Sequence, residues 1–158
     1  MAEWTGITVQ TVNPGESVVF TANPVPCRRG FVRHREDSGS FLLSGYVPGN
    51  SCDCGCGCGR NQSATYLASV GLNIAIPTGG TVGEISVALA LDGATLPATT
   101  MRTTPAAVNQ YASVSRTANV EVWKGCCQTL TVRNTSTQPI LVAERVIDFS
   151  RPDLAVTR

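Results

Sequence analysis

The sequence is poor in the residues from which most enzyme active sites are built. It has one histidine, His34, and one lysine, Lys124, and charged residues make up only 15% of its 158 residues. A cysteine or serine nucleophile would need that one histidine as its base, and no nucleophile elbow, glycine-rich phosphate loop or His-Glu zinc motif occurs. We therefore predict that the protein is not an enzyme and that His34 has a packing role.

Long apolar runs are lacking as well. No stretch approaches the roughly 20 residues that a membrane-spanning helix requires, and the first six residues lack the basic and apolar regions of a signal peptide. The formal net charge of +1 provides no global attraction for nucleic acid or acidic membranes. These absences predict a chain that is made in the cytosol, where thiols stay reduced, and that has neither nucleic acid nor membrane as a partner.

The chain consists instead of short β-like segments separated by turn residues, the spacing expected of a sandwich or barrel. Large and small side chains alternate in Ile85–Leu91, and the Asp92-Gly93 pair that follows predicts a type I′ turn. Thr104 and Pro105 mark the start of the one candidate helix. The ten predicted strands cover residues 6–12, 16–21, 30–35, 40–46, 64–76, 84–91, 94–102, 113–123, 128–134 and 139–149.

Four cysteines alternate with small residues in one segment: Cys52, Cys54, Cys56 and Cys58. Glycine between them would let the loop curl through dihedrals closed to other residues, so four thiolates could surround a tetrahedral zinc ion. The segment lacks the Cys-x2-Cys pairs of the usual zinc knuckle. Three interpretations therefore stay open: zinc or another thiolate-bound metal, redox or inter-subunit disulfides, and an exposed loop that needs no cofactor.

The other cysteines and the arginines have simpler explanations. Cysteine is often buried as a small apolar residue, which suits Cys27, and the neighbours Cys126 and Cys127 should point to opposite faces of a strand. Arginines cluster at positions 28, 29, 33 and 35. This basic patch is either a solvated strand face or a docking surface that uses the planar guanidinium fork.

Several segments of the sequence resemble those of a family of small jelly-roll proteins found in phages and prophages of Gram-positive gut bacteria. The most specific are Pro26-Cys27, Val82-Gly83-Glu84-Ile85-Ser86 and Gly125-Cys126-Cys127, and the resemblance extends over about residues 6–146. It implies an all-β, ten-stranded jelly-roll sandwich like tumour necrosis factor and the complement globular head, assembled as a homotrimer.

The resemblance also implies a function. We expect a non-enzymatic virion structural protein that decorates the capsid exterior, with the major capsid protein as its partner and the bacterial cytoplasm as the place of synthesis. The alternative is a receptor- or glycan-binding knob on a fibre or spore surface. The predicted organisation is a jelly-roll domain, 1–149, with the cysteine-rich loop at 47–61, and a C-terminal arm at 150–158. The loop and the arm depart from the family pattern.

Overall fold

Two antiparallel sheets pack face to face in the computed structural model, which describes residues 1–36, 38–47 and 63–154. Sheet A has the strand order β10-β6-β12-β1-β3, and β2 also pairs with β12. Its strands are β1 (Ala2–Gly6), β2 (Gln10–Val12), β3 (Ala22–Val25), β6 (Ser63–Ala75), β10 (Ala112–Trp123) and β12 (Ile140–Ser150). Sheet B has the order β4-β5-β11-β7-β8, and β9 also pairs with β7. Its strands are β4 (Val32–His34), β5 (Phe41–Gly45), β7 (Ile85–Leu91), β8 (Ala94–Thr95), β9 (Met101–Thr103) and β11 (Gly125–Asn134).

The core lies between the sheets because alternate residues of each strand point inward. In β6 every second side chain from Ala64 to Ile74 is buried. An aromatic cluster joins the two sheets: Phe41 of β5 lies 5.1 Å from Trp4, 5.5 Å from Phe20 and 5.2 Å from Phe149, measured between ring centroids. The predicted all-β jelly-roll fold is confirmed.

The first and last strands meet at one end of the sandwich. β1 pairs antiparallel with β12, so that Ala2 lies opposite Phe149 and Gly6 opposite Arg145. Beyond β12, a single 3₁₀ turn over Pro152–Leu154 packs against β6. The beginning of the predicted arm is therefore held against the domain beside the first strand.

The turn between β7 and β8 has the predicted conformation. Asp92 has φ 50° and Gly93 has φ 84°, as a type I′ turn requires. The Asp92 carboxylate accepts hydrogen bonds from the Thr129 backbone N–H and from the Gln128 side chain, each 2.8 Å long. These hydrogen bonds lower the pKa of Asp92. The predicted hairpin of β4 and β5 is also present, with Val32 opposite Leu43.

The structure corrects two of the predicted strands near the N-terminus. The strand predicted at 6–12 is interrupted, because Thr8 accepts a hydrogen bond from the Arg145 guanidinium instead of joining the ladder. The predicted strand at 16–21 is absent except for one bridge at Ser17. There Val19 exchanges two hydrogen bonds with the Gln10 side chain, which replace strand pairing.

The segment 94–109 also differs from prediction. The strand predicted at 94–102 splits into β8 and β9 around a 3₁₀ turn that begins at Pro97, a residue without an N–H to donate to a sheet. The candidate helix at Thr104-Pro105 is absent. The segment forms a turn instead, in which Asn109 has φ 59°. The backbone N–H of Asn109 donates a hydrogen bond to the Ile76 carbonyl over 2.7 Å. The described residues contain twelve strands, because two of the ten predicted ones are divided, the one at 16–21 is absent, and β3 (Ala22–Val25) lies where the sequence predicted a turn.

Within the described ranges, no helix is long and apolar enough to cross a membrane.

Candidate self-association face

The outer face of sheet A, which points away from the core, consists mainly of small side chains. Strand alternation places on it the odd-numbered residues of β6 and β10 and the even-numbered residues 144–150 of β12. At its centre are Ser69, Gly71 and Asn73 of β6, opposite Thr117, Ser115 and Ser113 of β10. The result is a flat surface with few long side chains.

Hydrogen bonds across the strands fix the polar groups of this face. Ser69 Oγ lies 2.8 Å from Thr117 Oγ1, and the Ser113 hydroxyl donates to Asn73 Oδ1 over 2.6 Å. Asn73 Nδ2 donates in turn to the Glu144 carboxylate over 3.0 Å. The hydrogen bond from Asn73 is the main cause of the lowered pKa of Glu144. Since these groups already have partners within the face, another surface could cover them at a smaller desolvation cost.

A shallow groove of about 490 Å³ crosses this face beside Gly71. Two aliphatic side chains line it and remain open to solvent: Ile7 is 80% exposed and Val146 is 36% exposed. The floor of the groove carries no side chain at Gly71. A Cβ there would lie 3.4 Å from Val146 Cγ1 and would fill part of the groove. Another surface that covered these two side chains would remove their apolar area from water, which favours association.

Charge separates the outer face of sheet A from the rest of the surface. No outward position of β1, β6, β10 or β12 is an arginine or lysine. Arg116 of β10 has the opposite parity, and its guanidinium donates to the Ala98 carbonyl over 2.7 Å. The charges on the face are carboxylates, among them Glu144 and Asp148. When another surface covers this face, no long arginine or lysine side chain has to lose its conformational freedom, so the entropic cost of the contact is lower.

Arg145 supports the face from beneath. Its side chain is buried, 4% exposed, and donates hydrogen bonds to the carbonyls of Val19, Thr8 and Ala143. Burial lowers the pKa of this guanidinium. The side chain passes so close to Gly6 that a Cβ at position 6 would lie 2.5 Å from the guanidinium carbon. Arg145 thereby ties β12 to the chain on either side of β2.

The arginines of the predicted basic patch lie in two places. Arg28 and Arg29 are exposed in the connection between β3 and β4, where they line a cleft. Arg33 is exposed on the outer face of sheet B, and Arg35 is exposed just after β4. The sequence could not separate the two pairs, because the chain turns between them.

His34 packs as predicted. Its ring stacks on Phe41 with 4.8 Å between centroids, and its Nε2 lies 2.9 Å from the Ser38 carbonyl oxygen. Cys27 is half-buried against the core, whereas Cys127 is exposed. No group of three or more histidine, cysteine or acidic side chains with metal-binding geometry occurs in the parts of the chain that the structure describes.

Cys52, Cys54, Cys56 and Cys58 lie outside the described residues, so their metal site remains a prediction. Thiolate ligands must be deprotonated, and occupancy would therefore fall as the pH is lowered. Zinc measured by elemental analysis is expected at one ion per chain if the prediction holds. Metal-free protein in which all seven thiols can be titrated would contradict both the metal site and the disulfides, and would leave the exposed loop as the interpretation.

Comparison with known proteins identifies the fold but no family. No family model matches the sequence, and no curated protein matches it. Among solved structures, the globular domain of zebrafish complement 1qA superposes with a TM-score of 0.61 at 10% identity, over 96% of this chain and 95% of that one. The Eiger tumour necrosis factor from S. frugiperda superposes with a TM-score of 0.63 at 14% identity, over 99% and 93%. The protein therefore has the jelly-roll fold of the complement 1q and tumour necrosis factor class.

Proposed function

We propose that this chain forms a homotrimer through the outer face of sheet A, and that the trimer is a non-enzymatic structural protein that decorates the outside of a phage capsid. The observation that carries the self-association is the composition of that face. It combines hydrogen-bonded small polar groups, the groove with Ile7 and Val146, and an absence of outward cations on its four main strands. The resemblance to trimeric jelly-roll proteins supports three copies rather than two.

Two further observations support attachment to a larger shell. The sequence resembles phage jelly-roll proteins at Pro26-Cys27, Val82–Ser86 and Gly125–Cys127. The two ends of the domain are adjacent, with Ala2 opposite Phe149, so one end of each subunit could contact the major capsid protein. Three such contacts in a trimer would act together, since linked weak sites gain in effective concentration.

The first test is the mass in solution. Light scattering on the purified full chain should give about three times the subunit mass of 16.6 kDa. A mass of 16.6 kDa at micromolar concentration would contradict the proposed trimer.

The capsid role is tested on purified particles. Quantitative mass spectrometry should find hundreds of copies per particle if the trimer covers the shell. A few copies per particle would favour the alternative, a receptor- or glycan-binding knob. Absence from particles would overturn both the virion location and the partnership with the capsid protein.

The end of the subunit that makes the contact can be tested separately. A chain ending after Ser150 keeps all of β12 and should remain trimeric, but it should no longer bind particles that lack the wild-type protein. Undiminished binding of this truncated trimer would place the contact elsewhere.

A further inference from the structure

A cleft of about 500 Å³ opens at the end of the sandwich where the first and last strands meet. Its walls come from distant parts of the sequence: the first two residues, β3 with its connection to β4, Tyr66 of β6, and residues 149–151 and 154. The volume lies within the range of small-molecule sites, about 300–1,000 Å³. The cleft is on a different part of the subunit from the groove beside Gly71, since the two share no lining residue.

The cleft is basic. Three of the chain's arginines line it, Arg28, Arg29 and Arg151, and none of the described lining residues is an aspartate or glutamate. The whole chain has a net charge of only +1. Positive charge is therefore concentrated in this concave site, where low-dielectric walls strengthen its field.

Arg151 is held in a fixed position within the cleft. Its guanidinium carbon lies 5.1 Å from the ring centroid of Phe31 and 5.0 Å from that of Tyr66. Its Nη1 donates to the Tyr46 carbonyl over 2.9 Å. A planar guanidinium fixed by rings and a carbonyl has lost its rotamer freedom in advance, which lowers the entropic cost of binding an anion.

Tyr66 completes the rigid floor. Its hydroxyl hydrogen bonds with the Ser44 carbonyl at 2.7 Å and the Phe31 carbonyl at 3.1 Å. Burial raises the pKa of Tyr66 above 10.0, and the neighbouring Arg151 opposes that rise. The phenol is therefore neutral at physiological pH and does not cancel the charge of the arginines.

The remaining walls are apolar. Pro24, Val25, Pro26 and Leu154 line the cleft beside the aromatic rings. A small inorganic ion would leave these groups in contact with water, whereas an aromatic or branched aliphatic body would cover them. A carboxylate attached to that body would match the guanidinium forks of the exposed Arg28 and Arg29, since such a fork binds planar oxyanions with two parallel hydrogen bonds.

We propose that this cleft binds a small organic carboxylate with an aromatic or branched aliphatic body. Arg151 supplies the fixed positive charge, while the exposed Arg28 and Arg29 close on the carboxylate from the rim. The site goes beyond the proposed capsid role and does not depend on it. The mass in solution tests the trimer, whereas ligand binding tests the cleft.

Calorimetric titration of the full chain with 2-naphthoate tests the proposal, with the uncharged 2-naphthamide as the matched ligand. Naphthoate should bind at least about tenfold more tightly than the amide, because only the carboxylate forms charge-assisted hydrogen bonds. The double substitution Arg28→Gln with Arg29→Gln should remove about tenfold or more of that affinity. Arg33→Gln with Arg35→Gln is the control from the same stretch of sequence, since neither residue lines the cleft, and it should bind as the wild type does.

A second readout locates the ligand. Cys27 is half-buried and lines the cleft, so bound naphthoate should slow its alkylation by the neutral reagent iodoacetamide, measured on the peptide that contains it. Naphthamide at the same concentration should protect it less. Equal binding of the two ligands, no binding of naphthoate, or equal effects of the two double substitutions would overturn the proposal. Binding without protection of Cys27 would also overturn it, because the ligand would then lie elsewhere.

Discussion

The outer faces of the two sheets differ in the side chains that they present to solvent. Sheet B carries arginines at outward positions of three strands: Arg33 on β4, Arg102 on β9 and Arg133 on β11. Arg102 forms an exposed ion pair with Glu84, and Arg133 donates to the Gly93 carbonyl. The corresponding positions of β1, β6, β10 and β12 in sheet A hold no arginine or lysine. Sheet B thus has the long charged side chains of a solvated surface, whereas sheet A has a face that another subunit can cover at low entropic cost.

The largest expected effect on stability comes from weakening the contact between the two sheets, because both outer faces form only when the sheets are packed together. Phe41 is fully buried and contacts Trp4, Phe20 and Phe149. Phe41→Ala should lower the free energy of unfolding by about 3–5 kcal/mol, since it removes a large side chain and leaves a cavity. Denaturant titration followed by tryptophan fluorescence measures the loss.

Tyr46→Ala is the control for that measurement, because Tyr46 is aromatic but 58% exposed. It should change the free energy of unfolding by less than about 0.5 kcal/mol. Equal losses from the two substitutions would show that the aromatic cluster does not hold the sheets together.

Two glycines of sheet A differ in the space that the subunit itself leaves around them. Gly6→Ala would place a Cβ 2.5 Å from the Arg145 guanidinium carbon, and the necessary shift should cost about 1–3 kcal/mol of unfolding free energy. Gly71→Ala meets only Val146 at 3.4 Å, so it should be neutral or stabilising by up to about 1 kcal/mol. The melting temperature should therefore fall for Gly6→Ala and stay unchanged or rise for Gly71→Ala. A loss at Gly71 as large as that at Gly6 would contradict this account of the packing.

The smallest expected effect is a pH dependence of stability that comes from Asp92, in the turn between β7 and β8 of sheet B. Hydrogen bonds from Thr129 and Gln128 lower the pKa of Asp92 below 3.8 in the folded state. The contribution of Asp92 to stability is therefore present above pH 3.8 and is lost as the pH falls through the folded-state pKa. Asp92→Asn should be less stable than wild type at pH 7, and this difference should shrink below pH 3.8. A difference that is independent of pH would mean that the hydrogen bonds to the carboxylate do not stabilise the fold.

The sequence was most informative where hydrophobic periodicity and turn chemistry are local. β6, β10 and the turn at Asp92-Gly93 were predicted nearly as the structure has them, because alternation and positive φ can be recognised from adjacent residues. The strand predicted at 16–21 was wrong. Its apolar side chains are buried as in a strand, but its backbone hydrogen bonds with the Gln10 side chain and with Val132 instead of forming a strand ladder. Such pairing between distant residues leaves no trace in the local pattern.

The candidate sites were harder to predict for the same reason. Alternation indicates that one parity of a strand is buried, but it does not say which strands form one face or that the face lacks cations. The basic cleft brings Arg28 together with Tyr66 and Arg151, which are far apart in the chain. The pairing of β12 with β6, which sets Ser150 opposite Leu67, and the position of the β3–β4 connection bring them to one site.

The most direct test of the central claim compares one substitution on the two faces by sedimentation velocity. Thr117 lies on the outer face of sheet A, and Thr129 faces outward from sheet B. Thr117→Arg places a long cation within the proposed interface and should convert the trimer to a monomer of 16.6 kDa, while Thr129→Arg should remain trimeric at the same concentration. A Thr117→Arg protein that stays trimeric, or a Thr129→Arg protein that dissociates, would contradict the assignment of self-association to sheet A.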